Sequence, residues 1–133
     1  MQTIFTKIIN GKIPCYKIFE DEKVLAFLDI YPDEYGHTLL VPKKQVDKLY
    51  DLEDDLFFHI WSVAKIIAKK YEEKLGYRVM FKVVGVDVPH AHIHIIPYDP
   101  KNHMNHQEHR AEKASKPIPE QQLEDARQTL KLF

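Results

Sequence analysis

The chain has little cysteine. Cys15 is the only one, so no disulfide can close within it, and the count suits a reducing, cytoplasmic setting. It has no apolar run approaching the roughly 20 residues that a bilayer span needs, so no membrane association is expected. Its start, MQTIFTKIING, lacks a basic segment followed by a long apolar stretch, so no secretory signal is expected either. Neither sign of charge dominates: 19 Lys and Arg face 20 Asp and Glu, for a formal net charge of −1. That leaves no broad basic footprint for nucleic acid. There is no internal repeat. What remains is 133 residues, 44% hydrophobic and 29% charged, the size and composition of one globular domain. Composition says nothing about chemistry.

Patterning says more. FTKIING places Phe5, Ile8 and Ile9 at helical spacing before Asn10-Gly11, which predicts one or two helical turns. CYKIFE and VLAFLDI are short runs rich in aromatic and β-branched residues on either side of a polar DEK, which reads as a hairpin. HTLLVP predicts a third strand, ended by Pro42. Leu56, Phe57, Ile60, Val63, Ala64, Ile67, Ala68 and Tyr71 recur with a helical period, Asp54 and Asp55 suit a helix start, and Gly76 suits its stop. The spacing predicts a helix over about 54–75, preceded by a short helical turn in VDKLYDL. YRVMFKVVG and HAHIHIIP predict a fourth and a fifth strand. Tyr98 to Pro119 reads as a polar loop, and EQQLEDARQTLKLF as a helix that docks or reaches a partner. The expectation is an α+β fold, an antiparallel sheet of about five strands with one long helix and short helices. Residues 1–100 would form the domain, and 101–133 a polar loop and helix extending it.

The densest chemistry is VPHAHIHIIPY. In a strand, side chains alternate between faces, so His90, His92 and His94 would share one face and Ala91, Ile93 and Ile95 the other. The apolar side can pack beneath the long helix. The imidazoles need solvent, a ligand or hydrogen-bond partners. Three readings fit: a structural network, a metal site built on neutral imidazoles, or nucleophilic catalysis in which one imidazole attacks and a neighbour orients it.

The motif His-φ-His-φ-His-φ-φ, with φ hydrophobic, together with GKIP, AFLDI, GHTLLVPK and VPHAHIHIIP in this order, resembles the histidine triad (HIT) family, especially its bacterial members, over about residues 3 to 98. The resemblance implies a homodimer whose sheets join across a two-fold axis, and a nucleotide pocket. It implies a hydrolase or transferase acting at the α-phosphate of adenosine phosphoramidates or dinucleoside polyphosphates, with no cofactor, through a nucleotidyl-histidine intermediate. By position, His92 would be the nucleophile, and His90 and His94 would hydrogen-bond around it and the phosphate. His37 would complete the cluster, and Asp29 would accept hydrogen bonds from the ribose hydroxyls. Phe5, Ile8, Phe27 and Ile30 would line the base pocket. A non-catalytic nucleotide-binding module acting through partners is the rival reading.

Four features depart from the family pattern. Many bacterial relatives carry Cys-x-x-Cys near the start and a histidine after VPKK, which help to hold a structural zinc. Here Thr3, Thr6 and Gln45 stand in those places, all poor zinc ligands. The link between the fourth and fifth strands is short, Val86 stands where relatives have Gln, and no Asn lies between Tyr77 and Pro89 to grip phosphate. Asp87 stands where relatives often have Ser, Thr or Glu; it is a nucleotide-site candidate, or a turn residue. Finally, His103, His106 and His109 recur every third residue, either as a metal-chelating set in a helix or as solvated side chains.

Overall fold

The computed structural model describes residues 1–101 and 117–133; His103, His106 and His109 lie outside them. The chain opens with helix α1 (Ile4–Ile9), followed by strands β1 (Lys17–Glu20), β2 (Val24–Leu28) and β3 (Thr38–Pro42). A turn of 3-10 helix (Leu49–Asp51) leads into the long helix α2 (Asp54–Leu75). Strands β4 (Val79–Lys82) and β5 (Ile93–Pro97) follow, and helix α3 (Glu120–Leu130) lies near the end. The five strands form one antiparallel sheet in the order β1-β2-β3-β5-β4.

Local chemistry accounts for the boundaries. Thr3 caps α1 through its side chain, which accepts from the Thr6 N–H, and Asn10 ends the helix. Asp54 and Asp55 sit in the first turn of α2, where the helix dipole favours negative charge. Gly76 closes α2 in the left-handed conformation at φ 82°, a region other residues enter at a cost.

The sheet sorts its side chains by parity. Val24, Ala26, Leu28, Leu40, Ile93 and Ile95 face α2 and pack with Ile60, Val63, Ala64, Ile67 and Tyr71. Leu123, Ala126 and Leu130 of α3 join this same core, and the Leu132 N–H donates to the Ile18 carbonyl of β1. The C-terminal helix therefore docks on its own chain. Leu25, Phe27, Leu39 and Val41 point to the opposite face, where Phe5 of α1 covers them.

One expectation needs correction. The strand carrying the histidines does not begin at His90; it begins at Ile93. Residues 86–90 bend, and Ala91 and His92 approach the sheet without joining its ladder. There the Ala91 N–H donates to the Val46 carbonyl, beyond the end of β3. Only His94 of the three histidines is a strand residue.

Tyr71 links the long helix to the segment that carries His37. Its buried hydroxyl lies 2.6 Å from Thr38 Oγ1, and Thr38 Oγ1 donates to the Gly36 carbonyl at 2.8 Å. With the Thr38 hydrogen so used, the Tyr71 hydroxyl is the donor. Gly36 has φ +83°, and a Cβ there would lie 2.8 Å from Leu130 Cδ1 and 3.2 Å from Pro97 Cγ. This loop is thus pinned by β5 and by α3.

Candidate active site

A cavity of about 590 Å³ opens on the α1 side of the sheet, a volume typical of small-molecule sites. One cross-strand row runs along its floor. Phe27 of β2 pairs with Leu39 of β3, Leu39 with His94 of β5, and His94 with Lys82 of β4. All four line the cavity, because directly paired residues share a face. The floor therefore passes from hydrocarbon to imidazole to ammonium. Phe5 and Ile8 from α1 and Ile13 and Cys15 from the following loop wall the apolar end. Asp29, Ile30, Asp87 and His92 also line it.

Hydrogen bonds assign the protons of the histidines. His92 Nδ1 lies 2.8 Å from the His90 carbonyl. A carbonyl only accepts, so Nδ1 carries the hydrogen and the neutral ring keeps an unprotonated Nε2. The Phe5 ring packs edge-on against His92 at 5.0 Å between centroids and fixes its plane. His94 has the opposite arrangement. The Asp33 backbone N–H donates to His37 Nδ1 at 2.9 Å, so His37 carries its hydrogen on Nε2. That atom lies 2.9 Å from His94 Nδ1, which must accept. His94 is left with its hydrogen on Nε2. Two neighbouring rings, 5.0 Å apart between centroids, thus offer a lone pair and a donor.

His37 and His90 stand behind these two. His37 is 1% exposed and does not line the cavity floored by Phe27, Leu39, His94 and Lys82; it acts on His94. His90 is fully buried, with Nε2 2.8 Å from the Pro42 carbonyl and Nδ1 3.1 Å from Thr3 Oγ1. Nε2 donates and Nδ1 accepts, which is the neutral form. Burial first, and then the neighbouring His92, hold the His90 pKa below its ordinary value, against the opposing pull of the Pro42 carbonyl.

The sequence positions compared with zinc ligands do converge. Thr3 Oγ1 lies 3.1 Å from Thr6 Oγ1, and Thr6 Oγ1 donates to Gln45 Oε1 at 2.6 Å, beside His90. Neutral hydroxyl and amide oxygens with one imidazole make a poor zinc set. A second cluster, Asp29, His37 and His94, brings its donor atoms within 4.8 Å of one another. A metal there would need the lone pair of His37 Nε2. The hydrogen would then sit on Nδ1, facing the Asp33 N–H. The cluster fits a hydrogen-bonded relay from the Asp33 N–H through His37 to His94 better, with Asp29 Oδ2 beside it, 3.6 Å from His37 Nε2, an electrostatic rather than a hydrogen-bond distance. Asp29 Oδ1 accepts the Tyr31 N–H at 2.8 Å, which orients the carboxylate at the cavity wall.

Of the residues expected from sequence, Phe5, Ile8, Phe27, Asp29, Ile30, Asp87, His92 and His94 share one cavity. Asp87 is an exposed residue in a bend at its rim. Sequence reasoning missed Lys82, Leu39, Ile13 and Cys15, which also line it. Lys82 and Leu39 are set by strand register, which no local pattern carries. GKIP and the adjoining Cys15 gave the signal for the last two.

A family model described as HIT domain matches residues 10–101. The chain is 45% identical over 102 residues to an uncharacterized HIT-like protein of Methanocaldococcus jannaschii, covering 71% of this chain and 77% of that protein. It is 38% identical over 100 residues to an adenosine 5'-monophosphoramidase of Schizosaccharomyces pombe, covering 73% and 74% of the two chains. The fold is similar to the crystal structure of a Hit-like protein involved in cell-cycle regulation from Bartonella henselae, with a TM-score of 0.83, 28% identity, and coverage of 97% of this chain and 93% of that one.

Proposed function

The chain belongs to the HIT domain family, and on that premise we propose that it is a hydrolase cleaving at the α-phosphate of a nucleotide, with adenosine phosphoramidates or dinucleoside polyphosphates as substrates. The observation that carries this reading is the pair of opposed tautomers, an unprotonated His92 Nε2 beside a protonated His94 Nε2, at the polar end of an otherwise apolar cleft.

In this reading the base lies between Phe5, Ile8, Phe27 and Ile30. Asp29, an acceptor only when ionised, takes the two ribose hydroxyls. His92 Nε2 attacks phosphorus. The N–P bond forms as the bond to the leaving group breaks, and the leaving group takes its proton from water at the open mouth. The phosphorylated ring is cationic, and its Nδ1–H remains on the His90 carbonyl, which stabilises that charge. His94 Nε2–H donates to the phosphoryl oxygen as negative charge develops there. Water then attacks phosphorus and gives up a proton to the hydroxide left when the leaving group was protonated; the N–P bond breaks, and its electron pair returns to Nε2. Two displacements replace one direct attack by water. His37 and His90 act through their neighbours and are positioning residues.

A homodimer and a cytoplasmic setting belong to the same reading. Among the described residues β4 pairs only with β5, and exposed Phe81, Val83 and Val84 mark its side of the sheet. Light scattering after gel filtration reads the dimer directly.

The functional test is brief mixing with a panel of nucleoside phosphoramidates and dinucleotides, acid-free quenching and mass spectrometry. A nucleotidyl adduct on His92, absent from His92→Ala, is the expected result. Unchanged turnover by His92→Ala overturns the assignment. Tight nucleotide binding with neither adduct nor turnover favours the non-catalytic module.

A further inference from the structure

We infer that Lys82 is a specificity-determining residue that selects substrates whose leaving group carries phosphate over those whose leaving group is an uncharged amine. The inference rests on the proposed site and names its substrate class more narrowly.

Position carries the first part of the argument. Lys82 is the last residue of β4 and pairs directly with His94. The cross-strand row runs Phe27, Leu39, His94, Lys82. If the base lies at the Phe27 end and the reacting phosphate at His94, Lys82 stands one strand further on, roughly 4.8 Å beyond. That is where the departing group lies.

Charge carries the second part. Among the described residues lining the cavity, Lys82 is the single cation, and Asp29, Asp33 and Asp87 line it too. A polyphosphate entering this cleft meets three acids, and among the described lining residues Lys82 is the one formal positive charge. Asp33 is buried, and its Oδ2 lies 3.5 Å from Lys82 Nζ. The same residue's N–H sets the His37 tautomer. Asp33 therefore ties the lysine to the relay that orients His94. An ammonium held in a partly desolvated cleft interacts more strongly with a phosphate than one in bulk water does. An amine leaving group gains nothing from it.

The experiment compares kcat/KM for adenosine 5'-phosphoramidate and diadenosine tetraphosphate in the full chain, Lys82→Met and Lys82→Arg. Lys82→Met is expected to lose about ten- to a hundredfold on the tetraphosphate, the worth of a charged hydrogen bond, while the phosphoramidate changes only a few-fold. Lys82→Arg should restore most of the loss. An equal loss on both substrates, or no loss on either, overturns the inference. Should Lys82→Met fail to fold, the wild type decides by itself. Turnover of the tetraphosphate should fall more steeply with added salt than that of the phosphoramidate, and equal slopes overturn the inference. If the wild type cleaves neither substrate, the hydrolase reading fails separately. Calorimetric titration then decides: ADP should bind more tightly than AMP in the wild type and in Lys82→Arg, but not in Lys82→Met. Equal affinity for the two nucleotides in the wild type overturns the inference.

Discussion

The two faces of the central sheet are built from alternate residues of the same strands, yet they have different work. On the α2 face, Ile93 and Ile95 are fully buried among aliphatic side chains. On the other face, His94 between them meets a cavity shared with Leu39 and Lys82. One face depends on volume and close packing, where a missing methylene is felt. The other depends on the position of individual hydrogens, assigned by carbonyls and one backbone N–H. Adjacent residues along this segment should therefore fail in different ways.

His92→Ala should give the largest effect: a loss of activity of about a thousandfold or more, with the cooperative melt retained. Steady-state kinetics beside a thermal melt separates the two quantities. A protein that unfolds instead would show that the ring is chiefly a packing element. Ile93→Ala is the mirror experiment. It should cost about 2–5 kcal/mol of stability in urea titration, while kcat below the melting range stays within a few-fold of the parent. Tyr71→Phe probes the buried polar bond from the packing face to Thr38, next to His37. Loss of this buried donor should cost about 1–2 kcal/mol with little change in KM, again by denaturant titration.

The smallest effect concerns pH. His90 is held below its ordinary pKa of 6.5 by burial, so the unfolded chain binds its proton more readily than the folded one. The stability from keeping it neutral is complete above the ordinary value. It declines as pH falls from there toward the folded pKa. Melting temperature should drop on acidification through that window, and less so in His90→Gln. A flat profile would argue that the buried imidazole is not a source of acid sensitivity.

Much of the packing face was legible in the sequence. The period of Ile60, Val63, Ala64, Ile67 and Tyr71 and the stop at Gly76 define α2 at its observed limits. Strand β3 was readable from HTLLVP. The chemical face was legible in composition but not in arrangement. HAHIH looks like an alternating strand, yet side-chain and backbone bonds to Pro42 and Val46 hold His90 and Ala91 off the ladder. Strand β1 starts at Lys17, later than CYKIFE suggests, with an irregularity between Lys17 and Phe19. The neighbours of His94 depend on the register of three strands, and the proton positions depend on Asp33 and His90 backbone groups. None of these leaves a mark in a window of local sequence, so YRVMFKVVG predicts a strand but not the place of Lys82 in the cavity.

The pairing of Leu39 with His94 bears on how errors in assembly would show themselves. Sliding β5 by one residue would turn His94 toward the aliphatic layer and Ile93 or Ile95 toward the cleft. Such a chain would bury an imidazole among hydrocarbon and bring isoleucine to the cleft at the same stroke. A misaligned molecule is thus too unstable to accumulate as a silent, well-folded impostor. Wherever this chain is found stably folded, its strand alignment has already placed His94 beside the cleft.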